Sequence, residues 1–135
     1  MATILAHITV IDGMAARFEE IATGLYTATH RLEPNARRYE YWRGATQNTY
    51  YSLLSFDTFN DFLEHQTSDH HESASPGLGE VIAAIRLEWV DPVQGASPLT
   101  PTDGQVLRRD ATELERLYSK RFMAQVADWW LAQRG

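Results

Sequence analysis

The order in which two hydrophobic periods follow one another constrains the fold of this chain more than any other feature. Residues 3–10 alternate apolar side chains with other types, which is the period of a strand buried on one face. Residues 14–32 then repeat apolar side chains every three or four positions, which predicts an amphipathic helix. Its apolar stripe comprises Phe18, Ile21, Ala22, Leu25, Thr29 and Leu32. Pro34 and Asn35 end this helix.

Two further strands follow the first helix as a predicted hairpin. Residues 37–43 (RRYEYWR) and 49–56 (TYYSLLSF) are rich in aromatic side chains, which favour strands. Residues 44–48 join them through a loop that is longer than the tightest hairpin turns.

A capped helix and a last strand complete the pattern. Thr58 and Asp61 have the spacing of a capping box and predict a short helix with the buried stripe Phe59, Phe62 and Leu63. Residues 73–79 (SASPGLG) predict a loop. Residues 81–90 predict a strand, with Ile85, Leu87 and Trp89 on one face.

The element order β-α-β-β-α-β is typical of an α+β, ferredoxin-like fold, in which both helices cover one face of a four-stranded antiparallel sheet. The other face of this sheet would carry several apolar and aromatic side chains. Because a half-covered sheet of this kind usually finds a partner, we expect a homodimer.

The chain continues well beyond the predicted fold, which suggests a domain at residues 1–92 and an extension at residues 93–135. Three prolines and two glycines between residues 91 and 104 predict a linker. Asp110 and Glu113 then predict the start of a 20-residue helix with the apolar stripe Leu114, Leu117, Tyr118, Phe122, Val126 and Trp129. We expect this helix to pack on its own domain or on the dimer mate.

Composition excludes several classes of function. The chain has no cysteine, so thiolate nucleophiles and disulfides are absent. A net charge of −6 argues against nucleic-acid binding, which needs a basic surface. No apolar run approaches the length of a membrane span, and the first ten residues lack the features of a secretory signal. We therefore expect a cytoplasmic protein that acts on a small molecule or on another protein.

The segment LEHQTSDHHE places three histidines within seven positions, and three interpretations are open. A metal site would combine His65 and His70 with Asp69 or Glu72. An acid–base site needs only His65 or His70 in an apolar pocket, because imidazole titrates near neutrality. Alternatively, the segment is a solvated helix end, which is the favoured interpretation for His71. A helix end near Ser68 would allow the loop after it to bring His70 back beside His65.

Aromatic side chains on the predicted strands are the second candidate feature. They are Tyr39, Tyr41, Trp42, Tyr50, Tyr51, Phe56 and Trp89, and strand alternation puts Tyr39 and Tyr41 on the face opposite Trp42. Most such residues form cores and dimer contacts. Some could line a pocket for a flat substrate, with Tyr51, Trp42 or Asn48 stabilising an oxyanion. His7 lies in the middle of the first strand, where we expect it to be buried and bonded to a backbone group.

The junction between the third strand and the second helix has a distinctive spacing. Phe56 ends the strand, His65 follows nine residues later and His70 five residues after that, with Ser68 between the histidines. In this spacing the chain resembles the antibiotic biosynthesis monooxygenase family, whose members are small dimeric α+β barrel proteins.

The resemblance covers residues 3–92. The opening strand ILAHITV, the Gly13 turn and Phe18 five positions later also match the way such chains begin. Leu54 and Phe56 stand where many members have a glutamate and a tryptophan, and the extension has no counterpart in the compact family unit.

The resemblance implies a homodimer with an apolar pocket between sheet and helices in each subunit. It also implies oxidation of a small aromatic or polyketide-like substrate by dioxygen with no cofactor, since characterised relatives oxidise anthrones to quinones without metal or flavin. The candidates for catalysis are His65, His70 and Tyr51, and those for substrate binding are Trp42, Asn48, Phe56, His7 and Trp89. The alternatives are an isomerase, cyclase or lyase, a haem-binding or haem-degrading protein, and a dimer that binds a ligand without turnover.

Overall fold

A computed structural model of the protein describes residues 1–104 and 106–134. The elements in these residues are β1 (Ala2–Val10), α1 (Ala15–Leu32), β2 (Ala36–Arg43), β3 (Thr49–Phe56), α2 (Phe59–Thr67), α3 (Asp69–Val81), β4 (Ile82–Trp89), α4 (Glu113–Arg121) and α5 (Asp128–Gln133). The strands form one antiparallel sheet in the order β2-β3-β1-β4. This arrangement confirms the α+β, ferredoxin-like fold.

The predicted apolar face of β1 forms the centre of the core. Ile4, Ala6, Ile8 and Val10 are all buried on the sheet face that the helices cover, which we call the inner face. From α1, the predicted residues Phe18, Ala22, Leu25 and Thr29 pack onto it. Leu32 is exposed, because it is the last residue of α1. No helix in residues 1–104 and 106–134 has the length and apolar character to span a membrane.

The second helix begins at the predicted capping box. The Thr58 hydroxyl accepts a hydrogen bond from the Asp61 backbone N–H, and the Asp61 carboxylate accepts one from the Thr58 backbone N–H. These bonds satisfy two N–H groups that a helix start leaves without partners. The residues of the predicted stripe, Phe59, Phe62 and Leu63, form the buried side of α2.

The predicted loop at residues 73–79 is wrong, because these residues belong to α3 with Pro76 inside the helix. An internal proline removes one backbone hydrogen bond, so local propensity opposes this helix. Packing on α1 outweighs that cost. Gly77 lies so close to α1 that a Cβ on it would approach Ile21 Cδ1 to 3.1 Å, which is closer than most Cβ contacts and would require the Ile21 side chain to shift.

The single 20-residue helix predicted for the C-terminal extension is also wrong. The structure has two shorter helices, and Thr112 rather than Asp110 caps the first of them. Leu114, Leu117 and Trp129 of the predicted apolar stripe are exposed. The buried side of α4 instead carries Glu115 and Ser119. Ion pairs explain this orientation, because the Arg108 guanidinium binds Glu64 of α2 and lies 3.8 Å from Glu115.

Candidate functional site

A cavity of about 790 Å³ lies between the inner face of the sheet and the layer formed by α2, α3 and α4. Its walls are mainly apolar and include Ile4, Ile8, Leu54, Leu87, Trp89, Phe62 and Phe122. A volume of this size is typical of pockets that hold a small organic ligand. The cavity is therefore the candidate functional site.

His65 projects from the last turn of α2 to the cavity wall. Its side chain is only 1% exposed, and the rings of Tyr39 and Phe56 pack against it with centroid distances of 4.8 and 5.2 Å. The Nδ1 atom lies 2.8 Å from Glu33 Oε2. The Nε2 atom is buried and has no hydrogen-bond partner within residues 1–104 and 106–134. One ring nitrogen is thus held by a carboxylate while the other remains available at the cavity.

His70 returns to the same carboxylate from the start of α3. Ser68 ends α2 and caps α3, and this break reverses the chain direction enough to bring the two imidazoles together. His70 Nε2 lies 2.6 Å from Glu33 Oε2, and the ring centroids of His65 and His70 are 6.1 Å apart. The predicted approach of the two histidines at a helix break is the observed geometry. His70 itself faces a separate groove between α1 and α3.

Glu33 carries the negative charge of this cluster. Burial has the largest single effect on the pKa of Glu33 and raises it. The hydrogen bonds and charge interactions with His65 and His70 are together stronger than burial, so the net effect is a lowered pKa of Glu33. An ionised carboxylate only accepts hydrogen bonds, so both imidazoles donate to it. Neutral His65 therefore has its proton on Nδ1 and a lone pair on Nε2, which is the form that can act as a base.

Further polar groups lie on the cavity wall. Ser52 Oγ, Gln66 Oε1 and His71 Nδ1 are buried without a hydrogen-bond partner in the part of the chain that the structure describes. Burial is the main cause that lowers the pKa of His71 to about 4, and the charge interaction with His65 adds to it. Buried polar groups without partners are costly, so these atoms suit a bound polar molecule.

Two tyrosines of β2 supply possible hydrogen-bond donors. Their hydroxyl groups lie 2.9 Å apart, and both Tyr39 and Tyr41 line the cavity. Burial is the main cause that raises the pKa of each phenol. Both hydroxyls therefore keep their protons. One of them donates to the other, so one O–H of the pair is left to donate a hydrogen bond to a developing oxyanion.

Comparison with known proteins agrees with this architecture. The model of the family described as antibiotic biosynthesis monooxygenase matches residues 1–76, more than half of the 135-residue chain. The chain belongs to the antibiotic biosynthesis monooxygenase family. Family membership supports a monooxygenase-like function in coarse terms and a small-molecule substrate. No curated protein matches the chain.

Several solved structures share the fold of this family member. A candidate antibiotic biosynthesis monooxygenase from Caulobacter crescentus is 24% identical, with a TM-score of 0.65 over 69% of this chain and 90% of that protein. One from Nitrosomonas europaea is 15% identical, with a TM-score of 0.64 over 69% and 99% of the two chains. A protein from Mycobacterium tuberculosis is 18% identical, with a TM-score of 0.64 over 71% and 98%. At these identities the likeness concerns the fold.

Tyr51 is a predicted catalytic residue and His7 a predicted substrate-binding residue, but both lie on the outer face of the sheet, which is the face opposite the helices. They are neighbours across β1 and β3, and their rings meet edge to face at 5.6 Å. His7 is half-buried, and its Nε2 lies 3.0 Å from Glu88 Oε2. The expected buried histidine bonded to the backbone is therefore wrong, because the alternation of β1 turns His7 away from the helices.

Trp42 and Asn48 also lie away from the cavity. The Trp42 side chain is exposed, and its indole N–H donates to Glu40 at 3.2 Å. Asn48 has a φ of 66° at the end of the β2–β3 hairpin, and its side-chain amide lies 3.3 Å from the Asp12 carboxylate. We assign these two residues no role in the cavity.

The other two predicted binding residues lie at the site in different ways. Trp89 of β4 is buried and forms part of the cavity wall. Phe56 is completely buried and supports the His65 ring from the side. Phe56 therefore positions a candidate base, whereas Trp89 is placed to contact a ligand.

Sequence reasoning missed Glu33, the residue that connects the two histidines. Glu33 is the C-terminal cap of α1, 32 positions before His65. A negative charge at this end opposes the helix dipole, and that unfavourable placement is the only sequence signal that could have drawn attention to it.

Glu33, His65 and His70 also form a group whose possible ligand atoms lie within 4.8 Å of one another. Two ligands of one tetrahedral metal ion stand about 3.3 Å apart at ordinary bond lengths. Both imidazole nitrogens lie closer than that to one Glu33 oxygen, at 2.8 and 2.6 Å. These distances are those of hydrogen bonds, so the arrangement fits two imidazoles bonded to a carboxylate better than a metal site.

Proposed function

We propose that this family member is a cofactor-independent monooxygenase that deprotonates a small aromatic or polyketide-like substrate in the cavity. The observation that carries the proposal is the environment of His65. Its Nε2 is buried at the cavity without a partner among the described residues, while its Nδ1 is held by Glu33. A base that is oriented by a carboxylate and faces an apolar pocket is suited to general acid–base catalysis.

The first step is proton transfer. His65 Nε2 takes an acidic C–H or O–H proton from the substrate, and the resulting imidazolium is stabilised by the Glu33 carboxylate 2.8 Å from Nδ1. The substrate becomes an enolate or phenolate. The hydrogen-bonded pair of protonated Tyr39 and Tyr41 on the cavity wall has one O–H left to donate to the oxygen of this anion.

The second step uses the electrons of that anion. For an anthrone, the carbanion transfers electrons to dioxygen and a C–O bond forms. The hydroperoxide then loses water, so the CH₂ group becomes C=O, one oxygen atom enters the product and the other leaves as water. The CH₂ carbon gives up four electrons in all, two when the hydroperoxide forms and two from its remaining C–H bond when water is lost. Dioxygen accepts the same four electrons, so the reaction balances without a further reductant.

Glu33 and His70 provide a route by which His65 could lose the proton. Both imidazoles bond to Glu33 Oε2, and His70 faces the groove between α1 and α3 rather than the cavity. We infer that His70 is a positioning residue that holds the Glu33 carboxylate and connects it to solvent.

The test is oxygen consumption with 1,8-dihydroxyanthrone, corrected for spontaneous oxidation. We expect His65→Gln to lower the enzymatic rate by about 10²- to 10⁴-fold, because it removes the base. His7→Gln is the matched control on the outer face and should change the rate less than about twofold. Wild-type activity in His65→Gln, with its circular dichroism spectrum intact, would overturn the proposal.

A second measurement separates oxygenation from proton transfer alone. Exchange of the substrate C–H for deuterium should continue without oxygen and should require His65. If the enzyme catalyses this exchange but consumes no oxygen when dioxygen is supplied, the result would instead favour an isomerase, cyclase or lyase.

We also propose that the outer face of the sheet pairs with a second copy to form a homodimer. Trp42 and Tyr51 are exposed on this face and are neighbours across β2 and β3. Leu5 and Leu53 are neighbours across β1 and β3 on the same face. A sheet face with several exposed apolar side chains is typical of an interface. Sedimentation analysis over a range of protein concentrations tests this proposal.

A further inference from the structure

We propose that the substrate of this cavity carries a carboxylate or a similar anionic group, which Lys120 and Arg121 hold at the cavity rim. This inference rests on the proposed function and adds the chemical class of its substrate. Both residues line the cavity, both are exposed and both belong to α4. They lie in the extension, beyond residues 1–76 that match the family model.

The charges on the cavity wall favour an anion. Lys120 and Arg121 form no ion pair within residues 1–104 and 106–134. The carboxylate on the wall, Glu72, already accepts a hydrogen bond from the Tyr118 hydroxyl at 2.9 Å. Arg31, Arg109 and Arg116 also form no ion pair among the described residues, but unlike Lys120 and Arg121 they do not line the apolar cavity.

Other arginines of the chain show that acidic partners are readily found. Arg37, Arg38, Arg43, Arg108 and Arg134 each form an ion pair with a carboxylate. The two rim cations combine the lack of an acidic partner among the described residues with a position at the apolar cavity, where an anionic group of a ligand could pair with them.

Arg121 is also oriented in advance. Its guanidinium carbon lies 5.3 Å from the ring centroid of Tyr118 and 5.9 Å from that of Phe122. Stacking on aromatic rings restrains a guanidinium while leaving its N–H groups at the edge available for a carboxylate. Substrate would lie with its anionic group at this rim, its aromatic body over the apolar wall and its acidic proton towards His65.

The test compares two probes of nearly the same shape, anthraquinone-2-carboxylate and anthraquinone-2-carboxamide. Equilibrium dialysis against the full-length protein gives both dissociation constants, and their ratio measures the preference for the anion. The variant Lys120→Gln/Arg121→Gln removes the two rim cations. The control Arg31→Gln/Arg109→Gln removes the same charge from exposed positions outside the cavity lining.

We expect the wild-type protein to bind the carboxylate about tenfold more tightly than the carboxamide. The ratio should fall to about one in the rim variant and stay near tenfold in the control. It should also fall in about 0.5 M salt, which tests the inference without any substitution.

A ratio of one in the wild-type protein, or a preference that survives in the rim variant, would overturn the inference, as would failure of both probes to bind. The proposed function is tested separately, since 1,8-dihydroxyanthrone carries no carboxylate. Loss of the anion preference therefore leaves the His65 result unaffected.

Discussion

A histidine paired with a glutamate lies on each side of the sheet, the inner pair in the helix layer and the outer pair on the strands β1 and β4. On the inner face, His65 Nδ1 lies 2.8 Å from Glu33, and on the outer face His7 Nε2 lies 3.0 Å from Glu88. The distances are nearly equal, but the surroundings differ. The side chains of the inner pair are 1% and 15% exposed, whereas those of the outer pair are 30% and 46% exposed.

This difference shows that a histidine–glutamate pair gains catalytic potential from its enclosure. Water competes with the outer pair and screens its charges, so the interaction contributes little. The inner pair lies in a region of low dielectric, where the carboxylate acts more strongly on the imidazole. His65 is also one of the residues that line a cavity large enough for a substrate.

The largest expected contrast comes from replacing the two carboxylates in turn. Glu33→Gln should lower kcat/KM for 1,8-dihydroxyanthrone by about 10²-fold or more, because the amide neither fixes the His65 tautomer nor stabilises the imidazolium. Glu88→Gln should change it less than about twofold. Oxygen-electrode kinetics measure both. Equal losses would show that enclosure does not distinguish the two pairs.

The next contrast concerns acid stability at the inner site. Burial lowers the pKa of His71 to about 4, so between about pH 6.5 and 4 the unfolded chain binds a proton that the folded chain excludes. Stability is therefore lost as pH falls through this range. Between pH 7 and 5 this effect is worth about 2 kcal/mol.

His71→Gln should remove that part of the pH dependence, as measured by urea unfolding at several pH values. The carboxylates with lowered pKa values, such as Glu19 at about 2, lose most of their stabilising effect below about pH 5, so the comparison is made between pH 7 and 5. An unchanged slope in His71→Gln would contradict the assigned cause.

The outer face is tested by changing its association. Tyr51→Glu places a charge at the centre of the proposed dimer interface and should raise the dimer dissociation constant at least about tenfold. Tyr26→Glu is the matched control, because Tyr26 is similarly exposed but lies on α1. Analytical ultracentrifugation distinguishes them. If both variants associate like the wild-type protein, the interface lies elsewhere.

The smallest effect is expected at the hairpin. Asn48 has a φ of 66°, which alanine adopts at a cost of about 1 kcal/mol and glycine adopts freely. Asn48→Ala should therefore lower the unfolding free energy by about that amount, whereas Asn48→Gly should leave it nearly unchanged. Thermal unfolding measures both. A large loss of activity in Asn48→Gly would return this residue to the functional site.

Local patterns in the sequence determined the order of the elements and much of their extent. The period of β1, the stripe of α1 and the Thr58–Asp61 capping box depend on neighbours within a few positions, so they can be recognised without the fold. The break at Ser68, which brings His65 and His70 together, has the same local character.

Tertiary structure decided which of these local features became a site. Glu33 meets His65 across 32 positions, and no short-range period encodes that approach. The packing of α3 on α1 makes a helix where glycine and proline predict a loop. The ion pairs of Arg108 accompany an orientation of α4 that exposes Leu114 and Leu117 while Tyr118 packs against the core. The physical reason is that burial, enclosure and ion pairing depend on partners from distant parts of the chain, which only the folded arrangement brings together.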